Sequence, residues 1–155
     1  MFRQKKADFW KLKERCLTSE YNVIEINLND SDSIKEALKE MGYKFEEHKI
    51  AQKLLGFAGD TREQVAHIIV RKKYVGSAAN DVGFYKKADG SYDMIISEFD
   101  KSGNKKQAVD FMHRIKQLYG KHLTIKQCKK LGLKISSQKV TEDNKITIRV
   151  RVWTG

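Results

Sequence analysis

The sequence has no proline, only two cysteines and no long apolar run. The last two features argue against disulfide-rich, secreted and membrane-spanning proteins. Cys16 and Cys128 lie far apart and match no metal-binding or redox spacing, so a reducing compartment is the simplest interpretation. No stretch approaches the roughly 20 apolar residues of a membrane-spanning helix, and the N-terminus lacks the apolar segment of a signal peptide. We therefore expect neither membrane insertion nor secretion. The expected location is the cytoplasm or an organelle interior, either plastid stroma or mitochondrial matrix.

The missing proline accompanies a large excess of lysine, with 24 lysines against 7 arginines. A genome poor in G and C is one explanation for both features, and it would account for the high isoelectric point without any function. That explanation does not account for an uneven distribution of charge along the chain.

The whole net charge of +11 falls in the last third of the chain. Residues 101–155 contain 14 basic and 3 acidic side chains, whereas residues 1–100 contain 17 of each. Clustered like charge destabilises a compact chain by self-repulsion and attracts polyanions. The charge pattern therefore favours a binding function over an enzymatic one.

Hydrophobic periodicity predicts the order strand, helix, four strands, two helices, two strands. The predicted strands cover 22–28, 50–57, 65–71, 81–85, 91–97, 133–140 and 146–153. This order is typical of an α+β fold, with a mainly antiparallel sheet and helices packed on one face. We place a single domain of this kind at 21–155.

Glycines and capping residues set the predicted ends of the helices and hairpins. Residues 29–32 offer N-caps for the first helix, and Thr124 for the third. The predicted helices and their terminal glycines are 34–41 with Gly42, 104–119 with Gly120, and 124–131 with Gly132. An Asp89-Gly90 pair between two strands predicts a hairpin whose central residues both have positive φ.

Residues 1–20 form a basic leader that carries aromatic side chains. Its apolar residues recur at near-helical spacing, so one interpretation is a short amphipathic helix docked on the domain. The alternative is an arm that reaches towards a partner.

No catalytic or metal-binding motif emerges. His113, His122 and Cys128 are the only plausible metal cluster, and their spacing is not that of a zinc site. The segment 56–59 lacks the Gly-Lys-Ser/Thr ending of a phosphate loop and is interpreted as a tight turn. We expect no metal, no cofactor and no enzymatic activity.

Two carboxylate pairs have structural explanations. Asp30 and Asp32 suit helix capping, and Glu46 and Glu47 suit an exposed strand edge. General acid–base catalysis would need a perturbed carboxylate in a cleft, which these patterns do not indicate.

From Tyr21 onward the chain carries a series of motifs in a recognisable order. They are Glu40-Met-Gly-Tyr43, Leu55-Gly-Phe-Ala-Gly59, Asp81-Val-Gly-Phe84, Asp89-Gly-Ser-Tyr92, Tyr119, Gly132 and the final strand Ile146-Thr-Ile-Arg-Val-Arg-Val-Trp153. Together they resemble the uncharacterised family typified by hypothetical chloroplast reading frame thirty-five, found in plastids, cyanobacteria and other bacteria. The leader before Tyr21 departs from that pattern.

The resemblance implies little about activity, because the family is one of unknown function. It brings no catalytic residues. Its genes are often associated with those of AAA-type ATPases, which implies a possible protein partner.

The basic C-terminal third is the candidate binding site. Alternation in the last strand places Ile146, Ile148, Val150 and Val152 in the core, and Arg149, Arg151 and Trp153 on the opposite face. The predicted nucleic-acid-binding residues are Lys105, Lys106, Lys116, Lys126, Lys129, Lys130, Arg149, Arg151 and Trp153. An accessory arm would add Arg3, Lys5, Lys6, Lys11, Lys13 and Arg15.

The leading hypothesis is a non-enzymatic basic module that contacts RNA or a ribonucleoprotein, because lysine-rich surfaces release phosphate counterions on binding. A simply solvated lysine face is the alternative interpretation of the same residues. A second functional hypothesis is a protein-interaction adaptor within a larger complex, for example a partner of an AAA-type ATPase.

Overall fold

The computed structural model describes residues 21–75, 79–97, 105–142 and 145–151, with the backbone alone for 21–27 and 105–109. The described elements are β1 (Tyr21–Leu28), α1 (Ser31–Glu40), β2 (Glu46–Leu55), β3 (Thr61–Val70), α2 (Lys72–Val75), β4 (Val82–Lys86), β5 (Tyr92–Ser97), α3 (Lys105–Lys130), β6 (Lys134–Val140) and β7 (Ile146–Arg151).

Five strands form an antiparallel sheet in the order β1-β5-β4-β3-β2, and β6 and β7 form a separate two-stranded sheet. The main core lies between one face of the large sheet and the helices α1 and α3. Ile34 and Leu38 of α1 and Ile115 and Leu118 of α3 are fully buried there against the sheet, including Phe84. The predicted α+β class is confirmed.

Helix α1 begins and ends at the predicted signals. The Asp30 carboxylate accepts hydrogen bonds from the backbone N–H of Ser33 at 2.9 Å and from its hydroxyl at 2.6 Å. At the other end Gly42 has φ +82°, and Tyr43 N–H donates back to the carbonyl of Leu38. This is the Schellman arrangement, in which glycine adopts the left-handed conformation that other residues avoid.

The structure has one helix, α3, where two helices were predicted at 104–119 and 124–131, so that prediction was wrong. The helix is continuous from Lys105 to Lys130, and Gly120 lies inside it without positive φ. Thr124 is therefore not an N-cap; its hydroxyl donates to the carbonyl of Gly120 at 2.8 Å, one turn earlier. A helical glycine costs only about 1 kcal/mol. Burial of Leu118 before it and Cys128 after it offsets that cost.

The hairpin turns share one pattern. Gly90 N–H donates to the carbonyl of Lys87, and Lys87 N–H donates to Ser91. The turn is thus centred on Ala88-Asp89 and followed by Gly90 at φ +86°, rather than centred on Asp89-Gly90 as predicted. The 56–59 segment repeats the pattern, with Gly59 at φ +82°. The predicted hairpin and tight turn are both present, in the type I plus left-handed glycine form.

Leu54 lies on the second face of the large sheet, near the start of β4. A Cβ on Gly83 would lie 2.6 Å from the Ala66 Cβ and 3.0 Å from a Leu54 methyl group. The Asp81 N–H also donates to the carbonyl of Leu55 at 3.1 Å. Leu54, Ala66, Ile69 and Ile95 form a small second cluster there. Gly83 permits this close approach because it has no side chain.

The apolar side of β7 is less buried than predicted. Ile146 and Ile148 are half-buried, and Val150 is 37% exposed. The alternation has the predicted phase, but the described β7 pairs only with β6 and joins no second layer of sheet. Ile146 contacts the edge of the main core. Val152 lies outside the described residues.

Candidate nucleic-acid interface

One face of the β6–β7 hairpin carries four exposed basic side chains, which we call the basic hairpin face (Lys134, Lys139, Arg149 and Arg151). The strand register pairs Lys134 with Arg151, Lys139 with Thr147, and Ser137 with Arg149. Directly opposed residues project to the same side of a sheet. Arg149 and Arg151 were predicted on this outward side, and the pairing adds the two lysines of β6.

The lysines of β6 were missed because of an irregularity in the strand. Lys134 and Lys139 are five residues apart, so regular alternation would place them on opposite faces. The register shifts between Ile135 and Ser137, which inserts one extra residue in β6. That shift brings both lysines to the face that carries the arginines. A strict period-two pattern contains no signal for it.

Like charges meet within this face. Lys134 and Arg151 are directly opposed across the two strands, and both are exposed. Directly opposed like charges destabilise a strand pair. Among the described residues, none of the four basic side chains makes an ion pair with a carboxylate. The face therefore presents unbalanced positive charge to solvent.

Helix α3 presents further exposed basic residues of the predicted set, namely Lys116, Lys129 and Lys130. Lys129 and Lys130 lie in its last turn, where positive charge also complements the helix dipole. For Lys105 and Lys106 the structure describes the helical backbone only.

Lys126 differs from the other predicted lysines because it is paired with two carboxylates, one on the N-cap of α1 and one in its first turn. Its Nζ lies 2.6 Å from an Asp30 oxygen and 3.0 Å from an Asp32 oxygen. The hydrogen bonds that Lys126 donates, first to Asp30 and then to Asp32, raise the pKa of Lys126. The hydrogen bond from Lys126 likewise lowers the pKa of Asp32. The charge of Lys126 is thus balanced within the protein, and the side chain ties α3 to the start of α1.

A similar tie joins α3 to the end of α1. Glu40 accepts hydrogen bonds from Lys121 at 2.8 Å and from His122 at 2.7 Å. Burial by itself raises the pKa of Glu40, but the bonds from Lys121 and His122 outweigh it and hold that pKa below 4.5. Of the three residues considered as a metal cluster, His122 is thus engaged with Glu40 and Cys128 is buried.

The remaining predicted site residues lie outside the described part of the chain. They are Trp153 on the last strand and the arm residues Arg3, Lys5, Lys6, Lys11, Lys13 and Arg15.

A buried ion pair joins the end of β3 to the start of β4. Sequence patterns gave no indication of it. Asp81, with no exposed surface, accepts from Arg71 Nη1 at 2.8 Å and from the backbone N–H groups of Leu55 and Lys72. Arg71 Nε also donates to Glu46 at 2.8 Å. Burial by itself lowers the pKa of Arg71, but Asp81 and Glu46 raise it above its ordinary value. Glu46, predicted as an exposed edge residue, therefore takes part in a structural network.

An open groove of about 450 Å³ lies between α3 and β7, and its lining includes Gly120, Lys121, Ile146 and Ile148. Its lining has no carboxylate and no histidine. Across the described segments, no three His, Cys, Asp or Glu side chains are grouped so that they could hold a metal ion. None of the helices in those segments has the length and apolar character to cross a membrane.

Comparison with known families places the chain. Residues 37–149 match the model of a family described as a protein of unknown function, DUF1257. The match covers most of the fold, from within α1 to β7, so the chain belongs to this uncharacterised family. No curated protein and no solved structure matches the chain. The family assignment brings no catalytic residue, ligand or partner.

Proposed function

We propose that this protein is a non-enzymatic binding module that contacts RNA or a ribonucleoprotein through the basic hairpin face and the exposed lysines of α3. The supporting observation is the direct opposition of Lys134 and Arg151, neither of which makes an ion pair with a carboxylate among the described residues. A two-stranded hairpin is only marginally stable alone, and like charges weaken it further. A polyanion would remove that repulsion on binding.

The composition of the surface predicts the kind of binding. Ammonium groups act as point charges that contact phosphates without reading bases. Five lysines stand beside two arginines in the exposed set, which are Lys116, Lys129, Lys130, Lys134, Lys139, Arg149 and Arg151. We therefore expect affinity that falls steeply with salt and depends little on base sequence.

The test is fluorescence anisotropy with a labelled RNA oligonucleotide at several salt concentrations. The double variant Lys134→Gln/Arg151→Gln removes two charges of the basic hairpin face. The matched control Lys49→Gln/Lys86→Gln removes two charges from exposed positions in the large sheet. Each lost phosphate contact lowers the slope of log K against log salt by about 0.7 for a single strand, so the first variant should lose about 1.4 and the control nothing. Absence of RNA binding by the wild-type protein at low salt would refute the proposal.

A protein-interaction adaptor is the second candidate, favoured by exposed apolar side chains just after α3 and on the hairpin face opposite the basic hairpin face. Leu131 is 72% exposed, Val140 63% and Val150 37%. A partner that covers both faces of the hairpin would need apolar groups against these side chains and acidic groups against the basic hairpin face. The genes of the family that this chain resembles are often associated with genes of AAA-type ATPases, so such an ATPase is one partner of this kind. Co-purification of a protein partner that survives nuclease treatment would favour this function over RNA binding.

We also propose that the family is the one typified by chloroplast reading frame thirty-five, on the motifs from Glu40 to the last strand. The proposed location remains the cytoplasm, plastid stroma or mitochondrial matrix, on the absence of a signal-peptide pattern in the sequence. The leader 1–20 and Trp153 would add contacts to the same polyanion.

A further inference from the structure

A second basic surface lies in the part of the sequence that has no net charge. We call it the Tyr74 patch (Lys44, Phe57, Lys72, Lys73 and Tyr74). The Nζ atoms of Lys73 and Lys44 lie 4.8 Å and 5.9 Å from the centroid of the Tyr74 ring. Lys72 Nζ donates to the carbonyl of Phe57 at 2.7 Å, which joins the 56–59 turn to the short helix α2.

The patch combines exposed aromatic rings with unbalanced charge. Tyr74 is 38% exposed and Phe57 is 53% exposed. In the described part of the chain, none of its three lysines makes an ion pair with a carboxylate. Lys72 is satisfied by a neutral carbonyl, so its charge remains available to an anion.

Buried polar side chains hold the backbone of the Tyr74 patch in place through hydrogen bonds. Asn80 and Asp81 have no exposed surface. The Asn80 side-chain oxygen accepts from Phe57 N–H at 2.8 Å, and Asp81 accepts from Lys72 N–H at 2.7 Å. Arg71, next to Lys72, is held by Asp81 and Glu46. The patch is therefore supported by a rigid network, as a preorganised binding surface requires.

We propose that the Tyr74 patch binds single-stranded nucleic acid by stacking a base on the Tyr74 ring while Lys44, Lys72 and Lys73 contact the flanking phosphates. An exposed cation–π contact contributes about 0.5–1 kcal/mol, whereas a base stacked on an aromatic ring contributes about 1–3 kcal/mol. A base therefore displaces a lysine from the ring, and the released ammonium pairs with a phosphate.

This inference rests on the proposed function and deepens it. The basic hairpin face contacts phosphates and accepts single or double strands alike. Stacking on Tyr74 needs an unpaired base, because the faces of paired bases are covered within a duplex. The patch thus makes the protein prefer single strands.

The test compares a labelled single-stranded oligouridine with a duplex of equal length by anisotropy. Tyr74→Ala should weaken binding of the single strand by about 5- to 150-fold, the fold-change that corresponds to 1–3 kcal/mol, and leave duplex binding unchanged. Tyr74→Phe keeps the stacking ring and should bind like the wild type. Tyr85→Ala is the matched control, because Tyr85 is 37% exposed on β4 outside the patch.

The outcomes separate the two proposals. If the wild type binds RNA but Tyr74→Ala keeps full affinity for the single strand, the patch is not a stacking site and the hairpin proposal stands. If neither strand form binds the wild type at low salt, both proposals are overturned. Thermal unfolding of each variant shows that the domain remains folded.

Discussion

The phenol oxygen of Tyr119 in α3 accepts a hydrogen bond at 2.8 Å from the backbone N–H of Asn29, 90 residues earlier in the chain. Tyr119 is 6% exposed, and its ring belongs to the main core. This bond joins the middle of α3 to the loop between β1 and α1. The ring therefore contributes both apolar burial and one long-range polar contact.

Tyr119→Phe should destabilise the protein by about 1 kcal/mol, because it removes one hydrogen bond and keeps the packing. Denaturant unfolding measures the change. Tyr92→Phe is the control, since Tyr92 is equally buried and its hydroxyl has no hydrogen bond to any described residue. Equal effects of the two substitutions would contradict the role assigned to the Tyr119–Asn29 bond.

Gly120→Ala should stabilise the protein by about 0.5–1 kcal/mol. Gly120 has helical backbone in the interior of α3, and beyond its chain neighbours and the adjacent helix backbone no described atom lies within 4 Å of the position that its Cβ would take. Alanine is favoured over glycine in such a position. If Gly120 instead ended a helix with positive φ, the same substitution would destabilise the protein, so the sign of the change in the melting temperature decides between the two structures.

Signals within a few residues predicted much of this fold. The features that were not predicted depend on contacts between residues far apart in the sequence. Asp30 and Gly42 mark the ends of α1 by contacts within a few residues, and the sequence shows such contacts directly. Gly120 is a local stop signal that buried residues on both sides of it override. The Arg71–Asp81 pair depends on the packing of distant strands, which no periodicity encodes.

The same distinction applies to the candidate site: some of its features follow from alternation within one strand, and others depend on packing between elements. The outward phase of Arg149 and Arg151 follows from alternation within one strand. The position of Lys134 and Lys139 beside them depends on an extra residue in the partner strand. The engagement of Lys126 by Asp30 and Asp32 depends on how α1 packs against α3, so composition alone counted that lysine as free charge.

Gly83→Ala should destabilise the protein by about 1–3 kcal/mol through overpacking. The new methyl group would lie 2.6 Å from the Ala66 Cβ, and both Leu54 and Ala66 are fully buried. The cost should be smaller when Ala66 is replaced by glycine, because the space it occupied then accepts the methyl group. A double-mutant cycle measured by urea unfolding tests this, and additive effects would show that the clash lies elsewhere.

The bonds to Glu40 should make stability depend on pH in the acidic range. The pKa of Glu40 is held below 4.5 in the folded protein, so the unfolded chain binds more protons as the pH falls through this range. Its stabilising contribution is therefore complete above about pH 4.5 and is lost as the pH falls through the lower folded pKa.

Melting temperatures of the wild type and Glu40→Gln between pH 7 and pH 3 measure this effect. The difference between the two proteins should shrink as the pH falls, and added salt should reduce it at neutral pH because the pair is partly exposed. A difference that stays constant over the whole range would rule out the linkage.

Arg71→Met should be the most damaging of these substitutions, at about 3–5 kcal/mol, because it leaves the fully buried Asp81 carboxylate without its cation. Lys39→Met is the control: Lys39 pairs with Glu36, and the two side chains are 60% and 49% exposed, so its loss should cost less than about 1 kcal/mol. Asp81→Asn should reduce the cost of Arg71→Met, since it removes the uncompensated charge. Chemical unfolding of the single and double variants measures the coupling, and independent, additive losses would show that Arg71 and Asp81 do not act as a pair.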